Sequence, residues 1–312
     1  MTNYKSLKSL HEPVLLKEVL EAFELDLTAR SKKEVRIIDA TLGLGGHTEA
    51  FIKSGTSVLG IEADKETLKL AKVRLMAACP APKKENAWGK FKLILGNFRD
   101  IDGIAKSEGF ESCDFILFDL GVSSLQLTSD VRGFSFRNKN AILDMRISRD
   151  SQTVKASDLL NVLRMDQLVS LFSEVMDFGG SRKLAKKIAE SRDIKKIVTV
   201  GDLTEIIEST LRKGKSLNIS TLPFLALRIA VNSELENLKE ALPKAFRVLK
   251  RGGKLAVISF HSGEDRIVKN CFKDHQNNKE GLIVGDVIQP KREELENNNR
   301  SRSAKMRIIE KV

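Results

Sequence analysis

The sequence predicts an α/β fold: a parallel β-sheet built from βαβ units, interrupted by a helical insertion. Three observations carry this. Short apolar runs rich in Val, Ile and Phe recur through the first 120 residues, each of strand length and without in/out alternation, the pattern of strands buried on both faces. Between them lie stretches with apolar residues three and four apart, as on one face of a helix. From about Thr128 to Leu222 no comparable β run occurs, and helical periodicity takes over. Strand–helix alternation is the signature of right-handed βαβ units, so the long interruption reads as an insertion.

The elements follow in order. The first four strands are expected at Val35–Ile38, Ser57–Ile61, Phe91–Leu95 and Phe115–Phe118. After Asp64, the residues Leu68, Ala71, Leu75 and Ala78 make one apolar helix face. The insertion predicts helices at Ala156–Leu163, Asp166–Met176, Ser181–Arg192 and Asp202–Lys213, the last opened by a Thr199-x-x-Asp202 start signal. A long amphipathic helix runs from Phe224 to Leu249, with a break expected near Pro243 and an end at Gly252-Gly253. Leu255–Phe260 reads as a fifth strand, and Leu282–Ile288 and Lys305–Ile309 could complete the sheet.

The 312 residues are 41% hydrophobic and 30% charged, which excludes a globally disordered chain. Lys and Arg number 53 against 42 Asp and Glu, a net charge of +11. That excess fits a polyanionic partner, nucleic acid or an anionic membrane surface, and equally a Lys-rich soluble surface. Besides 15 Phe the only aromatics are Trp88 and Tyr4, so a Tyr/Trp-rich recognition surface is excluded. Cys79, Cys113 and Cys271 are far apart and form no CxxC, and the four His form no HxxxH, so no metal site is expected. The N-terminus has no apolar leader and no run reaches bilayer length; the expectation is a cytoplasmic, soluble protein.

The first strand runs into Asp39-Ala40-Thr41-Leu42-Gly43-Leu44-Gly45-Gly46-His47-Thr48. Glycines at such a strand-to-helix turn allow a tight backbone and close ligand approach. A dinucleotide G-x-G-x-x-G would need Gly where Thr48 stands, and no Gly-Lys-Ser/Thr P-loop is present. Glu62 ends the second strand, placed to accept hydrogen bonds from ribose hydroxyls. Two acidic strand ends around a Gly loop suit an adenosyl ligand with a cationic, phosphate-free side chain, which points to S-adenosylmethionine over NAD. Phe98, after the third strand, could pack on adenine or belong to the core. Asp119 to Gln126 follows the fourth strand. Ligands of open α/β sheets bind beyond the carboxyl ends of the strands, so all four ends converge on one crevice.

A longer series of motifs stands in order: His11-Glu12-Pro13-Val14-Leu15-Leu16, the D-A-T-L-G-L-G-G-H-T loop, Asp119 to Gln126, Arg132-Gly133-Phe134-Ser135-Phe136, Leu143-Asp144-Met145-Arg146, Leu227 to Leu235, Ser259-Phe260-His261-Ser262 with Glu264 to Lys269, and Arg300 to Arg307. Through them nearly the whole chain closely resembles the ribosomal RNA small subunit methyltransferase H family, RsmH, also called MraW. The resemblance implies a class I (Rossmann-like) S-adenosylmethionine methyltransferase sheet with an inserted helical domain. It sets the methyltransferase domain at 1–127 and 223–312, and the insertion, expected to recognise RNA, at 128–222. It implies N4-methylation of a decoding-centre cytosine, cytosine 1402, in the 16S rRNA of the small ribosomal subunit. It also implies cofactor contacts from Gly45, Gly46, His47, Glu62, Phe98, Asp119 and Gln126. Glu62 stands where the family usually has Asp. The sequence departs further at Asn218 to Leu225, at Gly179-Gly180-Ser181, at Gly263 and at Leu125, which bears on RNA positioning or rate.

Methyl transfer from a sulfonium needs alignment of the nucleophile and removal of water, and no metal. Asp119 is the candidate acceptor for an amino N–H of the target; it reads equally well as a cofactor-binding carboxylate. Phe134, Phe136 and Phe260 are candidates to stack on the base, and each also fits a core role. His261 beside Ser262 and Glu264 reads as a polar strand-end turn, since no G-x-S-x-G elbow accompanies it. The competing functions are a nicotinamide-dependent oxidoreductase and an RNA-binding assembly protein with weak or no catalysis.

Overall fold

The structure is a computed structural model and describes residues 12–27, 34–79, 90–128, 131–212 and 218–312. His11, Tyr4, Trp88 and the Lys213 end of the last insertion helix lie outside the described residues. The chain divides into two compact units, Met1–Ser124 with Glu236–Val312, and Leu125–Leu235. In this division the return to the first unit falls at Glu236, where the sequence reading set it at 223.

The first unit carries a seven-stranded sheet. Its strands are β1 (Arg36–Asp39), β2 (Ser57–Glu62), β3 (Phe91–Leu95), β4 (Cys113–Asp119), β5 (Leu249–Ser259), β6 (Gly281–Ile283) and β7 (Lys305–Lys311), in the order β3-β2-β1-β4-β5-β7-β6. All pairs from β3 to β5 are parallel; β7 runs antiparallel to both its neighbours. Alternate strand residues feed two cores. Ile38, Leu59, Ile116, Phe118, Leu255 and Val257 pack with Leu238, Leu242 and Phe246 on one face. Ile37, Val58, Leu117, Ala256 and Ile258 pack with Phe23, Phe51 and Leu75 on the other. Burial on both faces is why β1, β2 and β4 read as continuous apolar runs. β3 is the exception: it is the sheet edge, and Lys92 and Leu95 are exposed.

Two expectations about the later chain are corrected. The long helix breaks at Ser233, not near Pro243. Ser233 adopts a left-handed conformation (φ 48°) and ends the helix Thr221–Asn232, while Pro243 lies inside the helix Glu234–Val248. Lys239, whose carbonyl Pro243 leaves without a donor, is exposed, so water can satisfy it. Gly252-Gly253 does not end a helix. Both lie within β5, at an irregularity opposite Cys113–Phe115, where a Cβ on Gly253 would come within 2.9 Å of the Asp114 carbonyl oxygen. The stretch Leu282–Ile288 contributes only the short β6 and an isolated bridge from Ile288 to Met306.

In the second unit the helices are Ser124–Thr128 at its border, then Ala156–Val162, Met165–Ser173, Phe178–Ile194, Val200–Thr210 and Thr221–Asn232. Thr199 and Asp202 form the expected capping box, Asp202 N–H donating to Thr199 Oγ1 at 3.1 Å and Thr199 N–H to Asp202 Oδ2 at 2.9 Å. Three of the ordered motifs build one framework here. Arg132 donates to the carbonyls of Arg146 (2.8 Å) and Ile147 (2.7 Å). Gly133 (φ 70°) lies so close to the Ile142 carbonyl that a Cβ would sit 2.5 Å from it. Asn232 donates to the Met145 carbonyl and accepts from Ile147 N–H. These residues hold backbone, and that is reason enough for their types.

Candidate active site

The chain reverses direction across the sheet between β1 and β4, and the carboxyl ends on either side of that point hold the acidic residues. Asp39 ends β1 and is fully buried. Its Oδ2 accepts from Thr48 Oγ1 at 2.7 Å and its Oδ1 from Thr41 N–H at 3.3 Å. Burial pushes its carboxyl up to about 6, against the pull of these hydrogen bonds. Thr41 Oγ1 accepts the Asp119 N–H at 2.6 Å, which ties the glycine loop to the end of β4.

The loop takes its shape from two left-handed glycines, Gly43 (φ 54°) and Gly45 (φ 77°). A Cβ on Gly45 would also meet Leu75 at 3.2 Å. Gly45 caps the helix Gly46–Lys53, whose first N–H groups, those of Gly46 and His47, have no carbonyl four residues back within the helix. Glu62 closes the loop from below: Oε2 accepts Gly43 N–H at 2.9 Å and Oε1 accepts Asp64 N–H at 2.8 Å. Burial, with the neighbouring Asp64 charge, raises its carboxyl to about 8, and those backbone donors hold it from rising further. Phe98 opens a short 3-10 turn after β3, is half-buried, and packs edge-on to Phe118 at 5.6 Å.

Asp119 has unmet hydrogen-bonding demand. Its side chain is 13% exposed, and Oδ1 is buried without a hydrogen-bond partner among the described residues. Oδ2 lies 3.6 Å from His47 Nδ1. Burial raises its carboxyl well above the usual range, and the charges of Asp39, Glu264 and Glu294 add to this. His47 is itself buried, its Nε2 lies 3.0 Å from the Val14 carbonyl oxygen, and burial lowers its ring to about 4.

The structure thus brings Gly45, Gly46, His47, Glu62, Phe98 and Asp119 to the carboxyl edge of one sheet. Gln126 belongs to the other unit, where it is 2% exposed. The relation of Thr41, Glu264 and Glu294 to Asp119 escaped the sequence reading; nothing in their spacing encodes it, since β1–β4 pairing, β4–β5 pairing and the C-terminal segment supply the proximity. His261 is the expected strand-end turn: it caps the helix Ser262–Asn277, and Glu264 Oε2 accepts from Phe260 N–H at 2.8 Å. Phe134 is buried and Phe136 packs edge-on to Phe224, while Phe260 is half-buried beside Gly121.

S-adenosylmethionine fits this donor set. Glu62 has lone pairs left for ribose hydroxyls, the helix N-terminus offers N–H groups to a carboxylate, and the orphaned Asp119 oxygen suits a cationic neighbour. The sheet and its acidic, glycine-lined edge define a class I methyltransferase.

The comparisons agree. The profile of the MraW methylase family matches residues 8–312, and the chain belongs to that family. A Dictyoglomus thermophilum protein named ribosomal RNA small subunit methyltransferase H is 40% identical over 310 residues, 98% of each chain. Proteins of the same name from Methylacidiphilum infernorum (39% over 315 residues, 97% of this chain and 94% of that one) and Helicobacter pylori strain 26695 (39% over 325 residues, 98% and 99%) are similar. Among solved structures, an rRNA methylase from Streptococcus thermophilus aligns with a TM-score of 0.44 and 13% identity over 97% of this chain and 98% of that one, a likeness too slight to build on. The cofactor is S-adenosylmethionine. Among the described residues no helix is long and apolar enough to cross a membrane.

Proposed function

We propose that the protein transfers a methyl group from S-adenosylmethionine to N4 of a decoding-centre cytosine, cytosine 1402, in 16S rRNA, in the cytoplasm. The observation that carries the reading is the buried Oδ1 of Asp119 at the end of β4, without a hydrogen-bond partner among the described residues. The bound cofactor supplies an activated methyl on a sulfonium. A cytosine amine is a poor nucleophile because its lone pair is delocalised into the ring. Asp119 Oδ1, accepting one amine N–H, concentrates that lone pair and then takes the displaced proton. Glu62 anchors the ribose, Gly45, Gly46 and His47 bind through their backbone, and Phe98 packs on the adenine. The family membership and the shared name of the curated relatives support rRNA as the substrate class. Single-turnover transfer of labelled methyl to purified small ribosomal subunits tests it; transfer to no rRNA would leave an assembly protein.

The insertion, 128–222, is assigned to RNA recognition. On the helix Phe178–Ile194, Arg182, Lys183, Lys186 and Lys187 are exposed while Leu184, Ala185 and Ile188 are buried, so the charges share the outer side. Lys186 has Glu190 at 3.8 Å, a surface pair too weak to hold it from a phosphate. Changing all four to Gln is expected to flatten the salt dependence of RNA binding, by about 0.7–0.9 in slope per lost phosphate contact, with cofactor affinity intact. An unaltered slope would remove this helix from the RNA surface.

A further inference from the structure

We propose that Asp119 and His47 hold one proton between them in the cofactor-free protein, and that binding the sulfonium cofactor expels this proton while binding its demethylated thioether product does not. The proposal rests on the cofactor, not on the identity of the RNA base.

The geometry fixes the tautomer. His47 Nε2 lies 3.0 Å from the Val14 carbonyl oxygen, which can only accept, so Nε2 carries the ring hydrogen. Nδ1 is then a bare acceptor, and it faces Asp119 Oδ2 at 3.6 Å. Two acceptors face to face with no hydrogen between them repel. A proton on Oδ2 makes them donor and acceptor. The gap exceeds a hydrogen bond, and the soft terminal torsion of a carboxyl can shorten it.

The surroundings choose where the proton sits. Asp39 from β1, Glu264 from the helix Ser262–Asn277 and Glu294 from the helix Arg292–Asn297 all face Asp119 with like charge. Arg74, from the helix Lys65–Ala78 and held by Glu49 at 3.0 Å, disfavours a charged His47 together with burial. Each influence favours a neutral acid beside a neutral imidazole. An opposite charge within about 4–6 Å favours the carboxylate instead. A sulfonium at this strand end therefore breaks the Asp119 O–H bond: the electron pair stays on Oδ2 and the proton goes to solvent. The thioether carries no charge at sulfur, so the proton stays. Asp119 and His47 thus set the preference for substrate over product cofactor, and that preference rises with pH. His47 is a positioning residue in this scheme, acting through Asp119.

Calorimetry on the full chain tests this. S-adenosylmethionine and S-adenosylhomocysteine are each titrated at saturating concentrations, at a pH of about 6.5, in buffers of different ionisation enthalpy. At that pH both ligands keep their α-ammonium charge, and proton exchange at Asp39 or Glu62 cancels in the difference. The wild-type protein is expected to release more protons with S-adenosylmethionine than with S-adenosylhomocysteine. The ratio of the two affinities is expected to rise by up to about tenfold per pH unit until Asp119 is ionised without ligand. Asp119→Asn is expected to abolish the difference. Equal proton release in the wild type would overturn the proposal, as would an undiminished difference in Asp119→Asn. Binding of neither ligand would overturn the cofactor assignment and this proposal with it; absence of methyl transfer to rRNA would leave both standing.

Discussion

Asp119→Asn is expected to lower the single-turnover rate at saturating cofactor and RNA by tenfold or more, about 1.4 kcal/mol of barrier or above. Asn keeps the shape and one acceptor oxygen but loses the charge and the capacity to take a proton. The wild-type Oδ1 has no hydrogen-bond partner among the described residues, so its lone pairs are open to an N–H of the substrate. The backbone of residue 119 stays tied to Thr41 Oγ1 at 2.6 Å, so the substitution should leave the end of β4 in place. If the carboxylate only holds the cofactor, saturation restores nearly the full rate. That outcome would reduce Asp119 to a binding residue and leave catalysis to alignment by the fold.

Glu62→Ala is expected to weaken S-adenosylmethionine binding by about ten- to a hundredfold. Removing one partner of a buried hydrogen bond so that the other is left unsatisfied costs about 1–3 kcal/mol. The effect has a second source, because the same carboxylate holds Gly43 N–H at 2.9 Å and Asp64 N–H at 2.8 Å. Alanine leaves both buried donors without their acceptor and loosens the turn that carries Gly45. Glu62→Gln, which keeps one carbonyl oxygen, should recover part of the affinity. Calorimetry that finds Glu62→Ala unchanged would contradict the ribose placement.

Much of this site is legible in the sequence because its parts are local. The loop from Asp39 to Thr48 is one βα turn, and its glycines are required by backbone angles that other residues adopt only with strain. Glu62 and Asp119 are readable as strand ends because β2 and β4 are buried apolar runs with an acidic residue at the carboxyl end. The edge strand β3 is readable for a different reason, its length and its apolar Phe91, Leu93, Ile94 and Leu95, but its exposure at the sheet edge is not. Long-range pairing is where the reading stops. Glu264 and Glu294 reach Asp119 through β5 and the C-terminal segment, a proximity no spacing encodes. The break at Ser233 was hidden because Pro243 is the louder local signal, and only packing decides which of the two gives way. The motifs around Arg132, Asp144 and Asn232, which carry the family resemblance in the sequence, are backbone clasps of the second unit, a role no spacing encodes.

The site of methylation is measured by nucleoside mass spectrometry of small-subunit rRNA. RNA from cells lacking the protein is compared with the same RNA after incubation with protein and S-adenosylmethionine, and the modified fragment is mapped. N4-methylated cytidine is expected to be gained at cytosine 1402, and the gain to be lost with Asp119→Asn at short reaction times. A methyl group on another base or atom, or no gain in rRNA of any kind, would contradict this assignment.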